Sequence, residues 1–143
     1  MCRDLSEIAT YARIDNAQFR LLKATTPGPY TFILEGTKQL PRKVLHPKRK
    51  TIGIRIPDHP LVSALLSELN APMVTSTLIL PDETDPLSDP EDIREHLGKR
   101  VDLVIDAGPG VGETTTVIDL TSGHPQLLRA GRGSLVPFGL DEV

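Results

Sequence analysis

The stretch Lys48-Arg49-Lys50-Thr51-Ile52-Gly53-Ile54-Arg55-Ile56-Pro57-Asp58-His59-Pro60 decides how the rest of the chain is read. Ile52, Ile54 and Ile56 alternate with Thr51, Gly53 and Arg55. Alternate side chains leave opposite faces of a strand, so residues 51–56 read as one. Thr51 and Arg55 then share the face opposite the three isoleucines. A planar guanidinium beside a hydroxyl can hold a carboxylate or phosphate. The plainer reading gives Arg55 a solvated position and a surface ion pair.

Upstream, Arg42, Lys43, Lys48, Arg49 and Lys50 form a basic run inside an aperiodic segment, 39–50, that reads as a loop. Tyr30 to Leu34 is a short apolar and β-branched run, hence a strand. Before it, Asp4 with Glu7 and Asp15 with Gln18 have the spacing of helix-capping boxes. The first helix turns Leu5, Ile8 and Tyr11 or Ala12 inward, and the second Phe19, Leu21 and Leu22. Pro27-Gly28-Pro29 ends the second helix.

Downstream, Asp58 and Pro60 open a helix with Leu61, Leu65, Leu66 and Leu69 at core spacing, ending near Asn70. Residues 72–80 read as a strand. The acidic segment holding Asp82, Glu83 and Asp85 reads as a loop. Asp89-Pro90-Glu91-Asp92 starts a helix carrying Ile93 and Leu97 inward and stopping at Gly98. Residues 101–105 read as a strand buried on both faces. Residues 114–120 and 126–129 read as a final antiparallel strand pair, followed by a glycine-rich tail, 130–143. Interleaved helices and strands predict a three-layer α/β fold with a mixed sheet in a single domain, 1–143.

With 143 residues the chain is long enough for a core, and with no Trp and 3% aromatics that core rests on Ile, Leu and Val. A net charge of −3 gives no global field that favours nucleic acid. Cys2 is the only cysteine, which excludes an internal disulfide and a cysteine-built metal site and fits a reducing cytoplasm. No apolar run has membrane-spanning length, and no signal-peptide core stands at the N-terminus.

The loop Asp106-Ala107-Gly108-Pro109-Gly110-Val111-Gly112 lacks the lysine and the following helix of a phosphate loop. His46, His59, His96 and His124 have no metal spacing. Thr51, Thr75, Thr77, the run Thr114-Thr115-Thr116, Arg55 and Arg129 are hydroxyls and guanidiniums that could line an anion pocket. Thr is equally a common strand residue.

Pro27-Gly28-Pro29-Tyr30-Thr31, Thr51-Ile52-Gly53-Ile54-Arg55-Ile56-Pro57, Thr75-Ser76-Thr77, Thr115-Thr116-Val117-Ile118-Asp119 and Leu128-Arg129 resemble, in order, blocks of the YrdC-like family. Leu45-His46-Pro47-Lys48-Arg49-Lys50-Thr51 is similar to its YciO branch. The resemblance implies a YrdC/RibB-type α/β domain with a twisted mixed sheet. The implied activity is threonylcarbamoyl-AMP synthesis from ATP, L-threonine and bicarbonate, with release of pyrophosphate, for tRNA modification. It implies L-threonine contacts at Arg55, Thr75 and Thr115, nucleotide contacts at Thr51, Thr77 and Arg129, and Mg²⁺ arriving with ATP.

Two departures accompany the resemblance. The family's early strand, with its Pro-Thr-Asp/Glu-Thr-type motif and its Lys-x-Arg motif, has no counterpart here. The expectation is a fragment holding the C-terminal two-thirds of the family domain, or a late-start reading frame. Ile79 stands where the family's Ser-x-Asn motif has its Asn, as in the YciO branch. A second reading is a double-stranded RNA or tRNA binding module that tracks phosphates with Lys48, Arg49 and Lys50.

Overall fold

The computed structural model describes residues 1–110 and 112–140. Val111 of the predicted glycine loop and residues 141–143 of the predicted tail lie outside the described residues. The chain divides into two compact units, one of residues 1–75 with 115–143 and the other of residues 76–114.

The first unit opens with α1 (Leu5–Tyr11), whose N-cap Asp4 accepts the Glu7 N–H at 2.9 Å. That hydrogen bond is the main cause holding the Asp4 carboxyl below its ordinary value. The predicted reciprocal bond does not form, because Glu7 Oε1 accepts from the Arg3 N–H at 3.0 Å instead. Strand β1 (Ala12–Arg13) leads to α2 (Asn16–Thr25), where Asp15 and Gln18 form the complete capping box. The Gln18 amide also donates to the Leu120 carbonyl at 2.8 Å, fixing the helix to the sheet.

The sheet is built on β2 (Tyr30–Gly36), two residues longer than predicted. β3 (Thr51–Ile54) pairs with it antiparallel, Ile54 opposite Phe32 and Thr51 opposite Glu35. β4 (Thr116–Asp119) runs parallel to β2 with Val117 opposite Thr31, and β5 (Gln126–Arg129) pairs antiparallel with β4. β1 adds to the far end of β2. The mixed sheet and its antiparallel last pair match the sequence reading.

One face of the sheet is the core. Tyr30, Phe32, Leu34, Ile54, Ile118 and Leu120 alternate onto it and meet Ile8, Leu22 and Phe138. The rings of Tyr30, Phe32 and Phe138 lie with centroids 5.2–5.9 Å apart. Each fully buried Ile, Leu or Phe contributes about 1.5–3 kcal/mol of transfer free energy.

After β3 the chain enters α3 (Pro60–Leu69). His59, not the predicted Asp58, occupies the N-cap and makes no side-chain cap; Pro60 takes the first turn as predicted. Leu66 is buried, whereas Leu61, Leu65 and Leu69 are 40%, 38% and 50% exposed, so only one predicted core leucine is enclosed.

In the second unit α4 (Pro90–Leu97) starts on Asp89, which accepts the Glu91 N–H at 2.8 Å. The strands predicted at 72–80 and 101–105 do not form: both segments lack ladder partners among the described residues. Val101, Leu103 and Ile105 are exposed, against the predicted burial on both faces. An apolar run becomes a strand only beside a partner edge, and the pattern alone does not supply one. No helix among the described residues is long and apolar enough to cross a membrane.

Candidate functional site

The face of the sheet turned away from the core carries the polar residues. Continuing the β3 register by one residue sets Arg55 opposite Thr31. Thr31 is opposite Val117, and Val117 is opposite Arg129. Arg55, Thr31, Val117 and Arg129 therefore form one row across four strands. At strand spacings near 4.8 Å the two arginine backbones stand roughly 14 Å apart.

Thr31 and Thr115 hydroxyls lie 2.7 Å apart. Arg129 donates from Nε and Nη2 to the Thr115 carbonyl at 3.2 and 2.9 Å, and from Nη2 to Thr115 Oγ1 at 3.2 Å. These bonds orient the guanidinium and leave Nη1 without a protein acceptor among the described residues. Thr31, Thr115 and Arg129 are thus a prearranged set of donors for an anion.

Arg55 sits at the other end of the row. It is half-buried, and among the described residues its guanidinium has neither hydrogen-bond acceptor nor carboxylate partner. Burial, and then the charge of Arg132, lower its pKa from the ordinary value. A cation held partly out of water without a counter-ion is stabilised wherever anionic charge approaches it. The predicted surface ion pair does not form.

Gly53 lies between Thr51 and Arg55 on the same face. A Cβ there would stand 3.4 Å from Thr31 Cγ2 and 3.5 Å from Ile33 Cδ1, so the absent side chain opens the floor of the face. Thr51 shares this face, but its position opposite Glu35 lies four residues from Arg55 along the chain. Thr75 is exposed at the end of the first unit and lines an apolar cavity of about 590 Å³ with Cys2, Leu40, Val44, Ile52 and Ile54. Thr31, Arg55, Thr115 and Arg129 are not in that cavity's lining. Thr77 is exposed in the second unit.

Lys48, Arg49 and Lys50 are exposed in a tight turn. Its centre is His46, whose Nδ1 accepts the Lys48 and Arg49 N–H groups at 3.3 and 3.1 Å, while its carbonyl accepts the Lys50 N–H at 2.9 Å.

Thr31 carried no assignment in the sequence reading, whereas Thr116, offered there as pocket lining with Thr114 and Thr115, is turned to the core and does not line this face. Thr31 alternates with Tyr30, Phe32 and Leu34, and that period placed it on the polar face. Thr116 belongs to the phase of Ile118 and Leu120. It is fully buried, accepts from Gly131 and Gly133 N–H at 3.1 and 2.8 Å, and donates to the Gly133 carbonyl at 2.8 Å. Among the described residues no three His, Cys, Asp or Glu side chains converge in a way that would hold a metal ion. The chain's own donors on this face are hydroxyls and guanidiniums, which suit anions rather than cations.

A family model, Sua5_yciO_yrdC, described as telomere recombination, matches residues 1–131. The chain is 52% identical to the uncharacterized protein YciO of Escherichia coli over 138 residues, 96% of this chain and 67% of that protein. The crystal structure of Escherichia coli YciO superposes with a TM-score of 0.93 over the same shares. The threonylcarbamoyl-AMP synthase of Bacillus subtilis is 32% identical over 112 residues, 78% of this chain and 32% of that one. The crystal structure of P. abyssi Sua5 complexed with L-threonine is 25% identical with a TM-score of 0.82, covering 91% of this chain and 38% of that one.

Proposed function

The chain belongs to the Sua5/YciO/YrdC family, and on that premise we propose that its polar sheet face binds a nucleotide and an amino acid for threonylcarbamoyl-AMP-type chemistry. ATP is the nucleotide, and L-threonine is the amino acid suggested by the more distant relatives. Arg55 receives the amino-acid carboxylate. Thr115, held by Thr31, contacts the amino acid, and Arg129 contacts the nucleotide phosphates. Thr51 adds a nucleotide contact. Mg²⁺ arrives on the phosphate oxygens of ATP.

The observation that carries this reading is the row from Arg55 through Thr31 to Arg129, with an unpaired guanidinium at one end and an oriented one at the other. Joining ATP, L-threonine and bicarbonate into threonylcarbamoyl-AMP releases pyrophosphate and water. A new oxygen–phosphorus bond forms at the α-phosphate as the bond to pyrophosphate breaks. Fixed cations and donors stabilise the charge that builds on the phosphate oxygens, and two binding ends bring the reactants together. Isothermal titration of ATP and of L-threonine into the chain tests the reading. The expected result is binding of both, weakened about tenfold or more by Arg55→Gln for the amino acid and by Arg129→Gln for ATP. Binding of neither ligand by the unaltered chain would overturn it.

A second reading is favoured by the exposed turn of Lys48, Arg49 and Lys50, which has no ion pair among the described residues. Here the turn tracks the phosphates of double-stranded RNA or tRNA. Reversing the three charges should flatten the dependence of log affinity on log salt by close to three phosphate contacts, a change of slope near 2–3. An unchanged slope removes the turn from any RNA interface.

A further inference from the structure

Met1 and Cys2 lie between two backbone edges of the first unit. On one side the Cys2 N–H donates to the Arg55 carbonyl at 2.9 Å, where β3 ends. On the other, the Met1 ammonium donates to the Met73 carbonyl at 2.7 Å and the Met73 N–H to the Met1 carbonyl at 3.0 Å. Such a mutual exchange is the pattern of an antiparallel pair. Met1 and Cys2 thus stand as a piece of strand between β3 and residues 73–75, two edges held two strand spacings apart, roughly 10 Å.

Past the Met1 ammonium both edges continue along the apolar cavity of about 590 Å³, with Ile52, Gly53 and Ile54 on one side and Val74 and Thr75 on the other. The Gly36 N–H bonds the Lys50 carbonyl, so in the alternation of an antiparallel ladder Ile52 and Ile54 bond to β2. Gly53, which is exposed, turns its N–H and carbonyl outward to the cavity. The Arg55 N–H and the Thr75 N–H and carbonyl likewise have no backbone partner among the described residues. The charged groups of the lining are cations, the Met1 ammonium and Lys43, and no carboxylate lines it. Burial lowers the pKa of that ammonium from its ordinary value, so an approaching anion would stabilise its charged form.

We propose that the β3 edge and residues 73–75 bind the C-terminal end of an extended peptide as an added strand, with its carboxylate on the Met1 ammonium and the Arg55 N–H. The direction follows from the bonds on the page. The cavity lies on the 52–54 side of Arg55 and the 74–75 side of Met73, so a strand in line with Met1 and Cys2 runs parallel to β3 and ends at Met1. Its last amide N–H meets the Gly53 carbonyl, and its second-last residue faces Thr75. Its last and third-last side chains fall in phase with the buried Cys2 and Ile54 and are apolar. Backbone pairing supplies the affinity, and the carboxylate and the two apolar positions supply the selection.

Isothermal titration of the full 143-residue chain, Met1 retained, with the peptide acetyl-Ser-Thr-Val-Thr-Val as its free acid tests the site. The free acid should bind, and the carboxamide should bind about tenfold or more weaker, having lost the charge-assisted bonds. N-methylation of the last peptide amide, which removes the donor to Gly53, should weaken binding to a similar degree. Gly53→Pro removes an N–H that β2 does not use and should also weaken the peptide, whereas Gly53→Ala keeps the N–H and should bind it as the parent does. The urea midpoint of each variant reports whether it has folded, and if Gly53→Pro has not, the N-methylated peptide decides. No binding of the free acid, equal binding of acid and carboxamide, or indifference to N-methylation overturns the proposal. A chain that sediments as a dimer and takes up no peptide overturns it in favour of pairing between two β3 edges.

Discussion

The Thr31 and Thr115 hydroxyls meet at 2.7 Å across the parallel strands β2 and β4, and Thr115 in turn orients the Arg129 guanidinium. A pair of hydroxyls touching on an open face, backed by a fixed cation, is a donor set waiting for an acceptor. Thr115→Val should remove one bond to Arg129 and the bond to Thr31 while keeping the two bonds to the Thr115 carbonyl. L-Threonine affinity, measured by titration, should drop by about tenfold. Stability should change by less than about 1 kcal/mol, because these groups are partly exposed and water replaces the lost bonds. An unaltered affinity would take Thr115 out of the amino-acid subsite.

The buried Thr116 hydroxyl is a different case. It makes three hydrogen bonds with the Gly131–Gly133 turn and has no route to water. Thr116→Val keeps the shape and strands two donors and one acceptor. Leaving such groups without partners costs about 1–3 kcal/mol each, so urea unfolding should show a loss of at least about 2 kcal/mol. Thr116→Ser retains the hydroxyl and should lose less. If Thr116→Val costs no more than Thr116→Ser, the hydrogen bonds of this hydroxyl do not set the stability of the turn.

The sequence reading succeeded where the information was local and fell short where it was not. Asp15 and Gln18 sit three residues apart and cap α2 with no help from the rest of the chain. The alternation of Ile52 and Ile54 was enough to give β3. Residues 72–80 and 101–105 carry comparable apolar patterns, but strand formation also needs a neighbouring edge at the right distance, which no window of sequence contains. The row through Arg55, Thr31 and Arg129 depends on three strand registers, one of them between segments most of the chain apart. The seating of the Gly131–Gly133 turn depends on Thr116 bonding that later segment back onto the sheet. Composition and spacing do not encode either relationship.

Gly133 shows how tightly that turn is seated. It is buried, and a Cβ on it would overlap the Tyr30 ring, a core side chain whose own position is fixed by Phe32 and Phe138. Gly133→Ala must push the ring or lift the turn. Overpacking of this kind costs about 1–3 kcal/mol, readable as a lower urea midpoint at constant m-value. Gly123, with nothing within 4 Å of its Cβ position, has no such ring to meet, although its φ of 86° strains any side chain there. Loss of stability at Gly123→Ala therefore reports backbone conformation, and loss at Gly133→Ala reports packing.

Cys2 gives the pH dependence with a defined sign. It is 3% exposed, and burial pushes its thiol up to about 11 from an ordinary value of 9.0. The folded chain therefore keeps the proton in a range where the unfolded chain has lost it. Stability from this group is fully present below about pH 9 and declines as pH climbs through about 11, since the native state then binds more protons than the unfolded state. The thiolate is the reactive species, so at pH 8 a disulfide reagent should label the native chain far more slowly than the chain in denaturing urea. Cys2→Ala removes the titrating group and should flatten the fall in stability between pH 9 and 11 relative to the parent. Rapid labelling of the native chain at pH 8, at the rate of the unfolded one, would mean that the amino-terminal segment opens readily from the edge of β3, where the Cys2 N–H is bonded to the Arg55 carbonyl at 2.9 Å.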